Sequence, residues 1–231
     1  MRIGILCAGD REVAPFLPLI RESRITEKAM LAFHQGQLNG VDTVTLFSGV
    51  CKVNAAVAAQ LLIEAFGVDA VINAGTAGGM DARLNLFDTA ICTEAVYHDV
   101  APHILTGFHP WMETEFFKAD PRLLQWSRQA VKTLGMENRV YWGRMATGEA
   151  FITDEGRQTI NRRFAPLTVD METAAIAHVC HVNSIPFLAI RTVTDTADHR
   201  GSEQFEQNCT KAAAIARDIT MALLAEMKKE A

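Results

Sequence analysis

The sequence predicts a single α/β domain in which strands alternate with helices along the whole chain. Three short apolar segments have the length and composition of buried strands: Arg2–Cys7, Asp69–Asn73 and Phe187–Val193. Strands that alternate with helical segments are typical of sheets with parallel pairs and crossover helices. With 231 residues, 49% of them apolar, the chain can bury one substantial core. There is no linker, repeat or low-complexity tract, so residues 1–231 are predicted to form one domain.

The first half of the chain is predicted to form four strands and two helices. The strands are Arg2–Cys7, Met30–Leu38, Val41–Phe47 and Asp69–Asn73. The helices are Arg11–Ile20, which Pro18 interrupts, and the alanine-rich Val53–Phe66. The two middle strands flank Asn39 and Gly40, a pair that strongly indicates a hairpin turn. The last strand ends in a turn over 74–79, whose glycines let a ligand approach the backbone amides.

The second half alternates in the same way. Its strands are predicted at Asp88–Val96, Val140–Ala146, Leu167–Val169 and Phe187–Val193. Its helices are predicted at Pro121–Leu134, Asp154–Phe164, Thr173–His181 and Glu203–Met227. A long irregular segment, Tyr97–Phe117, contains several aromatic residues. Because irregular segments of this length in a domain usually have a function, it is predicted to be a binding or subunit-contact surface.

Composition and charge argue against several classes of partner. The formal net charge is −5 and lysines and arginines do not cluster, which disfavours nucleic acid and anionic membranes. No apolar run approaches the ~20 residues that span a bilayer, and the N-terminus lacks a signal-peptide pattern. The cysteines are scattered without a C-x-x-C pair, which favours buried reduced thiols and a cytoplasmic location. His178 and His181 have helical spacing but no further ligands, so neither a metal nor another cofactor is predicted.

Acidic side chains follow several predicted strands, at the edge where ligands bind in open α/β sheets. Asp170 and Glu172 lie where a strand leads into a helix, and Glu12 follows the first strand. Asp195 lies just past the end of the strand Phe187–Val193, and strand alternation places Arg191 on the same face as Asp195. Carboxylates and an arginine at such an edge suggest acid–base catalysis. Along a helix, Asp170 and Glu172 would point ~200° apart, so only one is expected to face the site.

Each of these residues also has a purely structural interpretation. Asp170 or Glu172 can cap the following helix, and Asp195 can form a turn. In a first helical turn, the helix dipole would favour the anionic form of Glu172 by about 0.3–1 kcal/mol. Glu12 can be an ordinary solvated residue of a first helical turn. The glycine-rich run after Asn73 can lack a ligand, since it has neither a G-x-G-x-x-G pattern nor the lysine of an NTP-binding loop.

Taken together, the motifs resemble those of one family. They are Glu12 after the first strand, and the segments 48–54 (SGVCKVN), 72–79 (INAGTAGG), 147–152 (TGEAFI), 169–178 (VDMETAAIAH) and 191–195 (RTVTD). Their order and spacing closely resemble the bacterial 5′-methylthioadenosine/S-adenosylhomocysteine nucleosidases, within the purine nucleoside phosphorylase-like fold family. The resemblance implies a three-layer α/β/α sandwich with a mixed, barrel-like central sheet, assembled as a homodimer. It also implies hydrolysis of the N-glycosidic bond of a 5′-substituted adenosine, with release of adenine, as in methionine salvage.

The resemblance further implies roles for the residues that match the family's motifs. Asp195 resembles the acid that protonates adenine N7, and Glu12 the group that orients and activates water. Glu172 resembles the residue that holds the ribose hydroxyls, and Arg191 would help to hold water and ribose. Substrate-binding positions are implied for Val50, Thr76, Ala77, Gly78, Phe151, Ile152, Met171, Thr194 and Phe205. Part of the 102–113 loop would line the 5′-substituent pocket of the neighbouring subunit, through Pro102, Leu105, Phe108 and Pro110.

The implied reaction makes a physical demand on Asp195. Breaking the C1′–N9 bond produces an oxocarbenium-like sugar and an adenine anion, so an acid is needed at the base and carboxylates around the sugar. An acid that donates its proton near neutral pH has a raised pKa. Asp195 is therefore expected to be largely desolvated.

Two alternative functions stay open on the sequence. A phosphorolytic member of the fold needs cations and amides to bind phosphate. Phosphorylases usually have an arginine just ahead of the glycine-rich run, and here that residue is Asn73. Arg11 is the only cation in the first predicted helical turn. A non-catalytic nucleoside-binding protein of this fold would lack one of the acids, and Glu12, Glu172 and Asp195 are all present.

The chain also departs from the family's usual pattern. Thr76, Cys51 and Asp170 stand where the family commonly has Ser, Gly and Glu, and the loop over 100–110 differs and looks shorter. Because that loop would touch the 5′ group, the preferred substrate stays open. The candidates are methylthioadenosine, adenosylhomocysteine, 5′-deoxyadenosine and aminodeoxyfutalosine.

Overall fold

The structure, a computed structural model, describes residues 1–108, 112–152, 154–196 and 201–230 as one mixed sheet with helices on both faces. The strands are β1 (Arg2–Cys7), β2 (Arg21–Lys28), β3 (Leu31–Leu38), β4 (Val41–Phe47), β5 (Ala70–Gly79), β6 (Thr89–Tyr97), β7 (Phe116–Lys118), β8 (Val140–Thr147), β9 (Thr168–Asp170) and β10 (Phe187–Asp195). The helices are α1 (Asp10–Val13), α2 (Lys52–Phe66), α3 (Ile104–Phe108), α4 (Pro121–Thr133), α5 (Asp154–Phe164), α6 (Thr173–Val182) and α7 (Gly201–Lys229).

Five strands of the sheet close into a barrel-like ring, in the order β5, β10, β6, β8, β9 and back to β5. Pairing is parallel between β5 and β10, β6 and β8, and β8 and β9. It is antiparallel between β10 and β6 and between β5 and β9. From β5 the sheet continues outward through β1, β4, β3 and β2, and β7 pairs with β6. The predicted mixed, barrel-like central sheet is confirmed.

The alternating side chains of the strands fill a separate core on each face of the sheet. In β1, Ile3, Ile5 and Cys7 belong to a core shared with α4 and α7. Leu6 belongs to the opposite core, which it shares with α2 and α6. This division follows from the two-residue period of a strand. The predicted three-layer α/β/α arrangement is therefore confirmed.

The largest error in the predicted elements lies between residues 10 and 30. The predicted helix Arg11–Ile20 is wrong: the structure has the four-residue helix α1 and a 3₁₀ turn at Leu17–Leu19. The edge strand β2 follows, pairs only with β3 among the described strands, and is exposed along most of its length. Because its sequence RESRITEK places no apolar face inward, β2 lacks the alternation by which half-buried strands are recognised.

The glycine-rich run after Asn73 is a strand rather than the predicted turn. β5 continues through Gly75 to Gly79, and Gly75 pairs with Arg191 of β10. A Cβ atom on Gly75 would lie 2.5 Å from Glu12 Oε1 and 2.7 Å from Arg191 Nη1. The missing side chain thus makes room for two of the predicted site residues, which explains why glycine interrupts an otherwise buried strand.

The remaining connections agree better with the sequence. Asn39 and Gly40 both have positive φ angles, 50° and 74°, as a hairpin turn between β3 and β4 requires. The predicted irregular segment Tyr97–Phe117 contains the short helix α3 and the start of β7. Pro110 lies outside the described residues. Among those described, no helix is both long and apolar enough to cross a membrane.

Candidate active site

A cavity of about 440 Å³ opens where several strands of the ring and of its extension end. Its walls come from the segments after β1, β4 and β8, from the ends of β5, β9 and β10, and from α5 and α7. Every predicted catalytic and substrate-binding residue except Arg191 lines this cavity: Glu12, Val50, Thr76, Ala77, Gly78, Phe151, Ile152, Met171, Glu172, Thr194, Asp195 and Phe205. The fold therefore brings together acids that are far apart in the chain.

Glu12 is held in one orientation by hydrogen bonds to both carboxylate oxygens. Oε2 accepts from the backbone N–H groups of Ala8, at 2.7 Å, and Gly9, at 3.1 Å. Oε1 accepts from the backbone N–H of Thr76, at 2.6 Å, and from its hydroxyl, at 2.7 Å. The residue is only 4% exposed, so its interpretation as a solvated residue is wrong. A carboxylate fixed in this way can direct its remaining lone pairs at a molecule in the cavity.

Arg191 lies behind the cavity wall and holds three carboxylates together. Its side chain is 0% exposed, and its guanidinium lies 3.6 Å from Glu12, 3.2 Å from Asp170 and 3.2 Å from Glu172. Its Nε also donates to the hydroxyl of Thr173 at 3.2 Å. The direct grip on water and ribose implied by the resemblance does not follow from this geometry, because Arg191 does not line the cavity. The distances instead place Arg191 where it orients Glu12, Asp170 and Glu172.

Asp170 and Glu172 divide the capping role and the cavity role between them. Asp170 Oδ1 accepts from the backbone N–H groups of Glu172, at 3.2 Å, and Thr173, at 3.0 Å, so Asp170 caps α6. Glu172 makes no capping bond, and its Oε1 accepts from the backbone N–H of Cys51 at 3.0 Å. The prediction that only one of them faces the site is wrong: both line the cavity and contact Arg191, because neither lies in the helix body.

The surroundings of Glu172 oppose the expected preference for its anionic form. Burial raises the pKa of Glu172 to about 7, because the nearby Arg191 offsets only part of the desolvation. Asp170 and Glu12 add to this rise as like charges. Desolvation and repulsion therefore outweigh the helix dipole at this position.

Asp195 is the last residue of β10 and does not form the alternative turn. It is 4% exposed, and its Oδ1 accepts from the hydroxyl of Thr194 at 2.9 Å. Burial raises the pKa of Asp195, while Thr194 and the positive charge of Arg157 lower it. The predicted desolvation is confirmed. A carboxyl that keeps its proton to higher pH, at the wall of a cavity, is suited to protonate a leaving group.

Arg157, a buried arginine in the same cavity, is a site residue that the sequence does not predict. Arg157 lies in α5, is 9% exposed and lines the cavity. Its Nη1 donates to the carbonyl of Gly79 and lies 3.4 Å from Met80 Sδ. Its Nε has no hydrogen-bond partner among the described residues. Because most residues of α5 are charged or polar, its sequence resembles that of a largely solvated helix, and only the folded structure distinguishes this arginine from its neighbours.

A second unpredicted feature lies at the solvent side of the cavity. Arg11 of α1 and Glu206 of α7 both line the cavity and form an ion pair with each other. Their side chains are 47% and 57% exposed, whereas the acids deeper in the cavity are almost fully buried. Cys209, one turn further along α7, also lines the cavity, and burial raises its pKa to about 11. Cys209 is one of the thiols that the sequence predicts to be buried, whereas the sequence suggests for Arg11 only a possible contact with phosphate.

The predicted loop residues lie away from this cavity. Pro102 and Phe108 are exposed and Leu105 is half-buried, and none of the three lines the cavity of its own chain. Phe108 is 84% exposed. Their contact with a neighbouring subunit stays a prediction.

The histidines of α6 belong to an aromatic cluster. The ring of His178 stacks on Phe117 with a centroid distance of 4.7 Å, and its Nδ1 lies 3.3 Å from the Tyr97 hydroxyl. Within the described ranges there is no group of three His, Cys, Asp or Glu that could hold a metal ion.

Comparison with known proteins relates the whole chain to a group of enzymes. Residues 2–225 match the family model of the phosphorylase superfamily. The chain is 37% identical to a 5′-methylthioadenosine/S-adenosylhomocysteine nucleosidase of Anoxybacillus flavithermus, over 99% of this chain and 100% of the relative. A structure of such a nucleosidase from Colwellia psychrerythraea, in complex with adenine, has a TM-score of 0.87 and 32% identity, covering 98% of this chain and 95% of the other. One from Neisseria meningitidis, with methylthio-immucillin-A, has a TM-score of 0.89 and 28% identity, covering 97% and 98%.

Proposed function

The chain belongs to the phosphorylase superfamily and, within it, to the 5′-methylthioadenosine/S-adenosylhomocysteine nucleosidases, and on this premise we propose the reaction that it catalyses. It hydrolyses the N-glycosidic bond of 5′-methylthioadenosine and S-adenosylhomocysteine, giving adenine and the thio-substituted ribose. The observation that carries the proposal is the convergence of Glu12, Glu172 and Asp195 on one cavity of about 440 Å³. That volume is within the range of pockets that enclose small ligands.

At the base end of the cavity, Asp195 is proposed as the general acid. Its proton goes to N7 as the C1′–N9 bond breaks, so that adenine leaves as a neutral molecule. The raised pKa of Asp195 supports this role, because the carboxyl is protonated over a wider pH range than an exposed one. The backbone at Phe151 and Ile152 is proposed to read the adenine edge. Phe205, whose ring meets that of Phe151 edge to face at 6.4 Å, is proposed to cover the ligand.

At the sugar end, Glu12 is proposed to orient and activate the attacking water. Its carboxylate is immobilised from behind by Thr76 and the backbone, so the water would meet a fixed acceptor. Glu172 is proposed to hold the ribose hydroxyls, and Met171 to pack under the ring. The negative charge around the sugar would stabilise the oxocarbenium-like transition state, as carboxylates do in glycosidases.

The contacts of the buried Asn73 and of the arginines that line the cavity support hydrolysis rather than phosphorolysis. Asn73 is 0% exposed, donates to the carbonyl of Leu6 at 2.8 Å and accepts from the hydroxyl of Thr173 at 2.9 Å. Of the arginines that line the cavity in the described ranges, Arg11 pairs with Glu206 and Arg157 hydrogen-bonds to a backbone carbonyl. A phosphate ion would take Arg11 from Glu206 without giving Glu206 a cation in return, and it would compete with the Gly79 carbonyl for Nη1 of Arg157.

Incubating the purified protein with methylthioadenosine, adenosylhomocysteine and inosine in phosphate-free buffer tests the function directly. Free base is followed by chromatography, with and without added phosphate. We expect adenine from the first two substrates at a rate that phosphate does not change. A strict requirement for phosphate would establish phosphorolysis instead, and binding without release of base would establish a non-catalytic protein.

Replacing Arg157 by Met is expected to move the alkaline limb of the kcat–pH profile to higher pH. The positive charge of Arg157 lowers the pKa of Asp195, so its removal raises that pKa. Asp195 acts in its protonated form, so activity falls as the pH rises through this pKa, and a higher pKa delays the fall. Arg162→Met, which removes an exposed arginine from the same helix, is the matched control. A limb that stays in place or moves to lower pH in Arg157→Met would disprove this influence.

We further propose that the enzyme is a homodimer in the cytoplasm, where it would serve methionine salvage. Val53 and Val57 of α2 and Phe108 of α3 are exposed apolar side chains, 73%, 44% and 84% exposed, of the kind that a second subunit would cover. The cysteines, all within the described ranges, are unpaired, which agrees with a reducing compartment. Sedimentation at micromolar concentration should give twice the mass of one chain, and a monomer would contradict the dimer.

A further inference from the structure

The ion pair at the solvent side of the cavity has no part in the reaction proposed above. Arg11 and Glu206 line the cavity together with the catalytic acids, but they are about half exposed. Asp10, which precedes Arg11, is exposed and lines the cavity as well. The solvent side of the cavity therefore presents both positive and negative side chains. A ligand that carries no charge at this end would need neither.

The position of this pair relative to the substrate follows from the proposed binding mode. Asp195 marks the adenine end, and Glu12 and Glu172 mark the sugar. Arg11 directly precedes Glu12 in the chain, and Glu206 directly follows Phe205, the residue proposed to cover the ligand. A group that extends from C5′ of the sugar towards solvent would therefore meet Arg11 and Glu206.

The two substrates of the proposed reaction differ in that group alone. Methylthioadenosine ends in a methyl group on sulfur, whereas adenosylhomocysteine continues to a carboxylate and an ammonium group with no net charge. We propose that Arg11 and Glu206 recognise this zwitterionic end, Arg11 binding the carboxylate and Glu206 the ammonium group. The inference rests on the proposed function and names the residues that make the cavity favour one substrate over the other.

The energetics of exposed charges permit such an exchange of partners. An exposed ion pair contributes little stability, so separating Arg11 from Glu206 is a small loss. The zwitterion replaces that single pair with two, and it adds no net charge to the cavity. A guanidinium can also bind a carboxylate through two parallel hydrogen bonds, which favours arginine at this position over lysine.

The test compares substrate selectivity in Arg11→Met, Glu206→Gln and the charge reversal Arg11→Glu. The measured quantity is kcat/KM for adenosylhomocysteine divided by kcat/KM for methylthioadenosine. We expect this ratio to fall about fivefold in Arg11→Met and Glu206→Gln, as the loss of a partly exposed charge contact predicts, and further in Arg11→Glu. The analogue 5′-butylthioadenosine has an uncharged 5′ chain about as long as that of adenosylhomocysteine. Its kcat/KM divided by that of methylthioadenosine should stay the same in all three variants.

The control variant is Arg83→Met, which breaks an exposed arginine–aspartate pair with Asp81 away from the cavity lining and should leave both ratios unchanged. A ratio for adenosylhomocysteine that stays within twofold of the unmodified enzyme in Arg11→Met and Arg11→Glu would overturn the inference. An equal fall for the butylthio analogue would overturn it too, since the effect would then come from packing. If the unmodified protein releases no adenine from either substrate, the proposed function fails first.

Discussion

Asp195→Asn is expected to lower kcat for adenine release from methylthioadenosine by about a thousandfold, in the range that general-acid catalysis contributes. Asparagine has the same shape as aspartic acid and can still donate a hydrogen bond to N7, but it cannot transfer a proton. The leaving group would then depart as an anion. Single-turnover release of adenine, followed by chromatography, separates this chemical step from product release.

The folded state of Asp195→Asn should survive the substitution. Burial raises the pKa of Asp195 in the folded protein, so its ionised form opposes folding above that pKa, and a neutral amide does not. The free energy of unfolding at pH 8 should therefore equal or exceed that of the unmodified protein. Asp81→Asn, which alters an aspartate paired with Arg83 outside the cavity lining, should keep its kcat. Turnover of Asp195→Asn within tenfold of the unmodified enzyme would refute the role of Asp195 as the acid.

Arg191→Met is expected to lower the free energy of unfolding by about 3–5 kcal/mol, as the loss of one partner from a buried ion cluster does. Methionine fills much of the same space, but Glu12, Asp170 and Glu172 are left buried without their shared cation. Urea unfolding at pH 8 measures the effect. Arg191 lowers the pKa of Glu172, so in the variant that pKa rises and the ionised form is more strongly disfavoured. The variant should therefore be less stable at pH 8 than at pH 6.

Two further variants make this result interpretable. Adding Glu172→Gln to Arg191→Met removes one of the unpaired charges and should restore part of the lost stability. Arg83→Met breaks an exposed pair and should change the free energy of unfolding by less than about 0.5 kcal/mol. If the free energy of unfolding of Arg191→Met lies within about 1 kcal/mol of that of the unmodified protein, the dependence of the three carboxylates on Arg191 that the distances indicate is refuted.

The elements that could be predicted from the sequence are those whose burial leaves a pattern. β1 and β10 are almost fully buried and each contains a run of apolar residues, so the sequence predicts both near their true bounds. β2 is exposed and polar, and it exists because β3 offers an edge to pair with, which depends on distant residues. The glycines at the end of β5 predict a turn, because glycine is common where a chain bends. Here Gly75 instead leaves space for the side chains of Glu12 and Arg191.

The same reasoning explains which site residues were found. Glu12, Glu172 and Asp195 follow strands within recognisable motifs, so their convergence could be predicted. Arg157 and Glu206 lie on helices, where polar residues ordinarily face solvent, and only the packing of α5 and α7 brings them to the cavity. Whether Arg191 lies in the cavity or behind its wall could not be predicted either, because it depends on the register between β5 and β10.

The closed ring of five strands separates the parts of this protein that can change from those that cannot. Asp195 ends β10, and Thr76, which holds Glu12, lies on the neighbouring β5. A strand within a ring has a partner on both sides, so it cannot slide without breaking two ladders at once, whereas β2 lies at the open edge of the sheet and pairs with β3 alone among the described strands. Mutation and insertion can therefore accumulate in β2 over evolutionary time while the relative positions of Asp195 and Glu12 stay constant.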